Sequence, residues 1–154
     1  MRKAALFIAI AVLVVSGLCF HRRLYQNDEK RIKAIIEEME AAAEAKSADG
    51  IIKWFANDYQ DGSGNTKFFI YQLIRRTLER VEEMRVEVTE VEVLVTGDRA
   101  WATVTVTTEA IRGGSIVFPF GSDQEPETPR ITFKRTATGD WRITRVEDVK
   151  TRGL

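Results

Sequence analysis

The alternation of apolar and polar residues divides the chain into three regions with different periods. An apolar run without charged residues covers residues 4–20, with Ser16 and Cys19 as its only polar side chains, and ends at the polar residues 21–23. From Asp28 to Val81, apolar residues recur every three or four positions, which is the period of a helix with one buried face. After Met84 the period shortens to two, which is typical of a strand with one buried face. The pattern therefore predicts an apolar leader, then helices, then an antiparallel sheet.

Three helices are predicted before the sheet. Asp28 is expected as the N-cap of the first helix, and Thr66 as the N-cap of the third. The second helix is short and extends to Tyr59, and a glycine-rich loop at 61–65 separates it from the third. The residues expected on the three buried faces are Ile32, Ile35, Ile36, Met39 and Ala43, then Ile51, Ile52, Trp54, Phe55 and Tyr59, then Phe69, Leu73, Ile74, Leu78 and Val81.

The first strand is predicted to contain a β-bulge. A two-residue turn at Gly97-Asp98 fixes a register that brings the apolar faces of two strands together. Without an insertion, this register places Thr89 opposite Val106 and breaks the apolar face. One extra residue near Thr89-Glu90 restores the face and bends the strand. The expected pairs are then Val95 with Ala100, Val93 with Ala102, Val91 with Val104, and Val88 with Val106.

A second hairpin is predicted around a turn at Gly139-Asp140. Since Val146 differs in parity from the apolar residues before it, we expect a second bulge in the last strand. The segment 118–129 between the hairpins is rich in proline and acidic residues, so it cannot form a central strand. The apolar residues of the second hairpin are Ile131, Phe133, Trp141, Ile143 and Val146.

The composition excludes several classes of catalytic and metal site. The chain has one histidine and one cysteine, His21 and Cys19, so residues 24–154 contain neither. This excludes Ser-His-Asp and Cys-His catalysis, zinc sites built from imidazole or thiolate, and an internal disulfide in that region. We expect no metal and no cofactor. Residues 24–154 carry 19 basic and 23 acidic side chains, a net charge of −4, with no basic stripe, so nucleic acid is not an expected partner.

The apolar run is expected to be a membrane anchor. Its 17 residues would extend about 26 Å as a helix, against a hydrocarbon core of about 30 Å. A cleaved secretory signal ending near Gly17 is one alternative, and lipidation of Cys19 is another. The basic residues after the run argue against cleavage. We therefore predict an anchor in residues 1–23, one domain in residues 24–154, and a single-pass protein of a bacterial inner membrane with its domain outside the cytoplasm.

The helices, the curved sheet and two local motifs together resemble the nuclear transport factor 2-like superfamily. The motifs are residues 49–59, which end in the acidic-aromatic pair Asp58-Tyr59, and residues 139–145, which begin Gly-Asp-Trp. The resemblance spans residues 28–149. It implies a cone-shaped, cystatin-like α+β fold in which three helices pack in a curved antiparallel sheet, with a pocket between helices and sheet.

The superfamily that the chain resembles includes both enzymes and non-enzymatic domains. Its members include ketosteroid isomerase-like and polyketide cyclase-like enzymes, dehydratases and assembly domains. Membrane-anchored assembly factors of bacterial secretion machines share the order anchor, helix, cone, but their Asn-Pro-x-Gly segment is absent from this sequence. The resemblance therefore concerns the fold more than the function.

Four residues are candidates for binding a ligand in the expected pocket: Trp54, Tyr59, Phe69 and Arg135. Aromatic residues at helical spacing more often belong to a plain apolar core, and Tyr59 is the best exception because its hydroxyl needs a partner. Arg135 shares a face with Phe133 if the second hairpin has a three-residue loop. Its guanidinium would then need a carboxylate from the protein or from a ligand, whereas at the strand end it would reach solvent.

Two classes of function remain open, and the absence of histidine favours the non-enzymatic one. The first is a membrane-tethered binding or assembly module, whose threonine-rich outer sheet face around Trp101 would support a homodimer or a protein complex. The alternative is a small-molecule isomerase or cyclase that uses Asp58 or Glu109 as its base. Phe118 and Phe120 are further candidates for a lid, a partner contact or a lipid contact. A carboxylate buried inside the cone would favour the enzyme.

Overall fold

The computed structural model describes residues 27–148 of the chain. In these residues, three helices precede five strands of one antiparallel sheet with the order β1-β2-β4-β5, and the short β3 also pairs with β2. The predicted anchor lies outside the described residues, and no helix within 27–148 is long and apolar enough to cross a membrane. The elements are α1 (27–44), α2 (Ala48–Ile52), α3 (Lys67–Glu79), β1 (Glu83–Thr96), β2 (Arg99–Arg112), β3 (Ser115–Val117), β4 (Arg130–Arg135) and β5 (Trp141–Glu147).

The helix α1 presents the predicted apolar stripe to the sheet. Ile32 and Ile35 are completely buried, Ile36 is nearly so, and Met39 and Ala43 pack against the same core. The expectation that Asp28 is the N-cap is wrong, because residue 27 is already helical. The side chain of Asp28 is instead directed to the end of the sheet, as described below.

The helix α2 is shorter than its apolar pattern indicated. Ser47 caps its start, since its hydroxyl accepts a hydrogen bond of 3.1 Å from the N–H of Gly50. The helix ends at Ile52 because the following backbone pairs with β5: the N–H of Ile143 donates to the carbonyl of Trp54, and the N–H of Ala56 donates to the carbonyl of Ile143. The expectation of a helix that extends to Tyr59 is therefore wrong.

The helix α3 begins after Thr66 as expected, but its buried face differs from the predicted one. Ile70 and Ile74 pack against the core and Leu78 is buried, as is Val81 just beyond the helix. Phe69 is exposed, so its expected place on the core face is wrong. A four-residue spacing from residue 70 describes the buried stripe better than the spacing that starts at Phe69.

Both predicted bulges are confirmed. The register of β1 and β2 shifts between Val88 and Glu90, and Thr89 is the extra residue. The register of β4 and β5 shifts between Thr132 and Phe133, and Thr144 of β5 is left without a partner in the ladder. The predicted cross-strand pairs are also those of the structure: Val95 with Ala100, Val93 with Ala102, Val91 with Val104, and Val88 with Val106.

The segment 118–129 lies along the edge of β2 and, as predicted, forms no central strand. The hydroxyl of Thr108 donates to the carbonyl of Phe120 (2.8 Å) and accepts from the N–H of Phe120 (2.7 Å). Gly121 has a φ of 69°, and a Cβ at this position would lie 2.7 Å from the carbonyl oxygen of Val106. Phe120 packs against the core, whereas Phe118 is exposed.

The elements define two ends of the domain. At the near end, which holds Asp28 of α1 and the start of α3, Asp28 contacts Arg135 and the N–H of Arg135 donates to the carbonyl of Asp98 in the β1–β2 turn. At the far end, where α1 and α3 finish, Lys46 donates to the carbonyl of Val81. The strands β1 and β2 span the distance between the two ends, because β2 begins beside Asp98 and finishes beside Glu82.

Candidate functional site

The space between the helices and the sheet is filled by apolar side chains. They come from α1, from the segment after α2 and from the concave face of the sheet, and the largest fully buried ones are Trp141, Phe133, Ile32, Ile35 and Ile143. Among the described residues, the buried polar and charged side chains are Thr108 and Glu127. The concave face of the sheet therefore contributes large apolar side chains rather than a set of reactive ones.

Tyr59 belongs to this core. Its ring meets Phe55 edge-on with centroids 4.8 Å apart, and only 3% of the residue is exposed. Burial raises the pKa of the Tyr59 phenol far above its ordinary value, the nearby charge of Asp61 raises it further, and Arg145 lowers it. Tyr59 is therefore a neutral phenol at physiological pH.

Trp54 is surrounded by cations. The guanidinium of Arg31, the ammonium of Lys53 and the guanidinium of Arg142 lie 5.1, 4.8 and 5.6 Å from its ring centroid. Such contacts stabilise both the ring and the charges. The indole Nε1 is buried with no hydrogen-bond acceptor among the described residues. The ring thus serves as an apolar platform for basic side chains at the near end.

Arg135 lies on the core face of β4 and is neutralised by the protein itself. Its guanidinium donates to Oδ2 of Asp28, and the indole N–H of Trp141 donates to Oδ1 of the same carboxylate at 3.2 Å. The guanidinium also stacks on Trp141 at 4.8 Å from the ring centroid. The hairpin loop is residues 136–140, and Arg135 pairs with Trp141, so Arg135 shares the face of Phe133 without the three-residue loop on which that placement was conditional. The carboxylate that Arg135 requires is therefore Asp28.

A cleft of about 550 Å³ opens beside this cluster at the near end. Its size is in the range of small-molecule sites. Five basic residues and one acidic residue line it, together with small polar and apolar side chains. The charged lining residues are Lys53, Lys67, Lys134, Arg135, Arg142 and Asp58.

The two candidate bases lie at opposite ends of the domain. Asp58 is exposed at the rim of the near-end cleft. Glu109 is exposed toward the far end of β2, opposite Arg85 of β1. The two carboxylates therefore cannot act on one substrate. Within residues 27–148, no group of three His, Cys, Asp or Glu side chains is placed to hold a metal ion.

Sequence reasoning missed two features of the near end and the buried Glu127. The pairing of the Asp28 carboxylate with Arg135 was missed because the two residues are 107 positions apart in the chain. The cationic cleft was missed because its lysines and arginines are scattered over four separate segments. Glu127 stands in an acidic, proline-containing loop, where no sequence signal distinguishes it from its exposed neighbours.

A second depression, of about 390 Å³, lies on the outer face of the sheet. The cross-strand pair Leu94 and Trp101 lines it. Its other lining residues are Glu92, Val93, Thr103, Thr128, Arg130 and Asp148.

Comparison with known proteins relates the chain to solved structures rather than to sequence families. No protein-family profile matches the chain, and no curated protein sequence matches it. A nuclear transport factor 2-like protein with a cystatin-like fold from Novosphingobium aromaticivorans superposes with a TM-score of 0.64 at 22% identity, over 86% of each chain.

Two further solved structures carry provisional dehydratase names. One, from the nuclear transport factor 2-like family of Streptomyces avermitilis, has a TM-score of 0.63 at 18% identity and covers 79% of this chain and 94% of its own. The other, named for scytalone dehydratase and from Novosphingobium aromaticivorans, has a TM-score of 0.66 at 10% identity, over 83% and 91%. At these identities the likeness concerns the fold alone. The chain therefore has the nuclear transport factor 2-like, cystatin-like α+β fold that its sequence resembles.

Proposed function

We propose that this protein is a membrane-tethered, non-enzymatic assembly module that pairs with a second copy through the outer face of its sheet. The observation that carries the proposal is the apolar filling of the cone, together with the exposure of both candidate bases. Proton-transfer catalysis in a pocket needs a carboxylate held at the substrate and shielded from water. Neither Asp58 nor Glu109 has that environment.

The outer face supports assembly because it exposes apolar side chains on paired strands of the sheet. Leu94 is 62% exposed and pairs across the strands with Trp101. Trp101 is a large side chain of the type that often anchors interfaces. A patch at one position of a rigid sheet can meet its own copy across a two-fold axis, which gives a closed dimer.

Sedimentation of the complete chain in detergent at several concentrations tests the assembly. We expect a dimer that dissociates on dilution, and Leu94→Asp is expected to leave a monomer. Ile116→Asp is the matched control, because Ile116 is 61% exposed on β3, away from the Leu94–Trp101 pair. A monomeric wild-type chain, or equal effects of the two substitutions, would contradict this assignment.

The tether is tested by carbonate extraction of membranes and by the intact mass of the mature protein. We expect the full-length chain to remain in the membrane fraction. A mature protein shortened by about 17 to 19 residues would show that the leader is a cleaved signal.

An isomerase or cyclase is the second candidate, and one observation favours it: Asp58 lines the near-end cleft beside Lys67 and Arg135. Removal of a proton next to a carbonyl is the step that such enzymes share. Incubation with a panel of ketones in D₂O, followed by mass spectrometry, detects that step as deuterium incorporation. Incorporation by the wild-type chain that Asp58→Asn abolishes would establish the enzyme and displace the non-enzymatic proposal.

A further inference from the structure

We propose that the near end of the domain docks on an anionic lipid surface through Phe68, Phe69 and the basic residues of the cleft. This proposal depends on the membrane tether proposed above. Three independent features of the near end support it: its position along the chain, its charge and its exposed aromatic side chains.

The position of the near end follows from chain length. Asp28, at the near end, is eight residues beyond Phe20, the last residue of the apolar run. Eight residues reach at most about 29 Å when fully extended, so a membrane-held run keeps Asp28 within that distance of the lipid. The far end is roughly 36 Å away along β2, from Arg99 to Ala110 at about 3.3 Å per residue. The tether therefore brings the near end, rather than the far end, to the lipid surface.

The charge of the near end is opposite to that of the whole domain. Residues 24–154 carry a net charge of −4, yet the cleft lining has five basic residues and one acidic residue. Lys67 and Lys134 have no carboxylate within 4.0 Å among the described residues. Basic side chains close to an anionic leaflet are attracted by its negative surface potential.

Acidic residues at the near end reduce this positive charge without reversing it. Asp28 is paired with Arg135, and Glu38 with Arg31 and Lys53, while the carboxylate of Asp140 is 3.9 Å from Arg142. Asp58 and Asp98 also lie at this end, and Asp98 is adjacent to Arg99. Among the described residues, the cleft cations without a paired carboxylate are Lys67 and Lys134.

Two phenylalanines extend the basic surface with apolar area. Phe68 is 72% exposed and Phe69 is 52% exposed, and both follow Lys67 at the start of α3. The ammonium of Lys67 is held by the carbonyl of Phe55 at 2.7 Å, which fixes it at the cleft. Aromatic side chains beside lysines are the combination by which peripheral segments bind the lipid headgroup region.

Phe118 is an exposed aromatic residue at the far end of the domain and serves as the control for Phe68 and Phe69. It follows β3, which pairs with residues 110–112 at the far end of β2. Phe118 is 52% exposed, the same as Phe69. If apolar exposure alone decided lipid contact, Phe118 would insert as well, whereas the proposal predicts contact at the near end only.

The experiment uses the complete chain with Cys19→Ser, reconstituted into vesicles of phosphatidylcholine alone or with phosphatidylglycerol. An environment-sensitive fluorophore is attached at Phe68→Cys or, as the control, at Phe118→Cys. We expect a blue shift of the label at position 68 in the anionic vesicles, a smaller shift in the neutral vesicles, and no shift at position 118. High salt is expected to reduce the shift at position 68.

Charge removal tests the basic residues separately from folding. The double substitution Lys67→Gln and Lys134→Gln keeps polar side chains of similar length. We expect it to lower the equilibrium constant for docking about 30-fold. Arg85→Gln with Arg112→Gln removes two exposed charges from the far end and is expected to have no effect. Circular dichroism of each variant confirms that it is folded.

Flotation of the same vesicles separates the two proposals. A chain that floats without a shift at position 68 overturns the docking proposal alone and favours an acidic protein segment as the occupant of the cleft. A chain that does not float overturns the tether and, with it, the docking. Equal shifts at positions 68 and 118 also overturn docking through the near end.

Discussion

Asp28 connects the first helix to the last hairpin through one carboxylate. It accepts hydrogen bonds from Arg135 and from the indole of Trp141, and it is mostly buried. Removing one partner of such a cluster leaves a partly buried charge without its counterion, which costs more than losing a surface ion pair. This residue therefore holds the start of α1 against the sheet, beside the cleft.

Asp28→Ala is predicted to lower the free energy of unfolding by about 1–3 kcal/mol. Asp28→Asn should lose less, because an amide oxygen still accepts from one donor. Glu29→Ala is the control, since Glu29 pairs with Lys33 on the exposed side of the same helix, a contact worth about 0.3–0.5 kcal/mol. Urea denaturation followed by tryptophan fluorescence measures all three. Equal losses for Asp28→Ala and Glu29→Ala would show that the cluster has no special role.

At the scale of elements, α1 protects the free edge of the sheet. The strand β1 is an edge strand, and two of its N–H groups donate to carboxylates of α1: Val86 to Glu44 at 3.2 Å and Val88 to Glu40 at 3.4 Å. An edge whose N–H groups are occupied is a poor template for pairing with another chain. The helix thereby covers the bulged part of β1 that an unprotected sheet would expose.

Glu40 makes stability depend on pH. Burial raises the pKa of Glu40, the hydrogen bond from Val88 lowers it, and the charges of Glu44, Glu37 and Glu87 raise it, with a net increase. Since the folded state binds this proton more tightly than the unfolded state, ionisation of Glu40 destabilises the fold above its folded pKa, and the penalty disappears as the pH falls below the unfolded value near 4.3.

Glu40→Gln is therefore predicted to stabilise the protein at pH 7, with a gain that vanishes at about pH 4. The amide retains an oxygen that accepts from Val88. Thermal denaturation at the two pH values measures the gain. The exposed Glu37 on the same helix offers a comparison, and Glu37→Gln should give a smaller effect. A gain that is as large at pH 4 as at pH 7 would rule out this explanation.

The bulge in β1 is the second element-scale feature with a testable consequence. Val88 pairs with Val106 and Glu90 with Thr105, so deletion of Thr89 would leave every pairing and face unchanged and would remove only the bend. Because that bend wraps β1 around α1, we predict that the deletion costs at least about 2 kcal/mol. Thr89→Ala keeps the bulge at an exposed position and should cost less than about 0.5 kcal/mol. Chemical denaturation compares the two, and a deletion variant as stable as Thr89→Ala would refute a structural role for the bend.

At the scale of the whole molecule, the two proposed surfaces occupy different faces. The Leu94–Trp101 pair lies on the outer face of the sheet, whereas Phe68 lies on α3, which packs on the inner face. Substitutions at separated sites without shared contacts act independently. The two proposed surfaces therefore do not overlap, and the two proposals can be tested independently.

Leu94→Asp is accordingly predicted to abolish the dimer and to leave the lipid-dependent fluorescence at position 68 unchanged. Lys67→Gln is predicted to weaken that fluorescence shift and to leave the dimer intact. Sedimentation and label emission, measured on the same two variants and on their combination, test this independence. A loss of both signals in either single variant would show that the surfaces are coupled.

The sequence by itself determined the order of the three helices and the two hairpins, the register of β1 with β2, and both bulges, whereas it did not predict β3. These features depend on local periodicity and on parity, because a period of two cannot slip by one residue without turning the apolar side chains to solvent. The breaks in parity near Thr89 and between Ile143 and Val146 therefore indicated insertions. The sequence left open whether the aromatic side chains fill the cone or line a pocket, and the structure packs Trp54 and Tyr59 into the core.

Only the tertiary structure decided the extent of α2, the orientation of α3 and the composition of the near end. Pairing of the backbone at residues 54–56 with β5 ended α2 before its apolar pattern did. Packing rotated α3, which exposed Phe69 and placed Ile70 against the core. The pair Asp28–Arg135 and the basic cleft join segments that lie far apart in the chain. Local periodicity carries no information about such contacts, because they arise when the folded sheet brings the ends of several elements together.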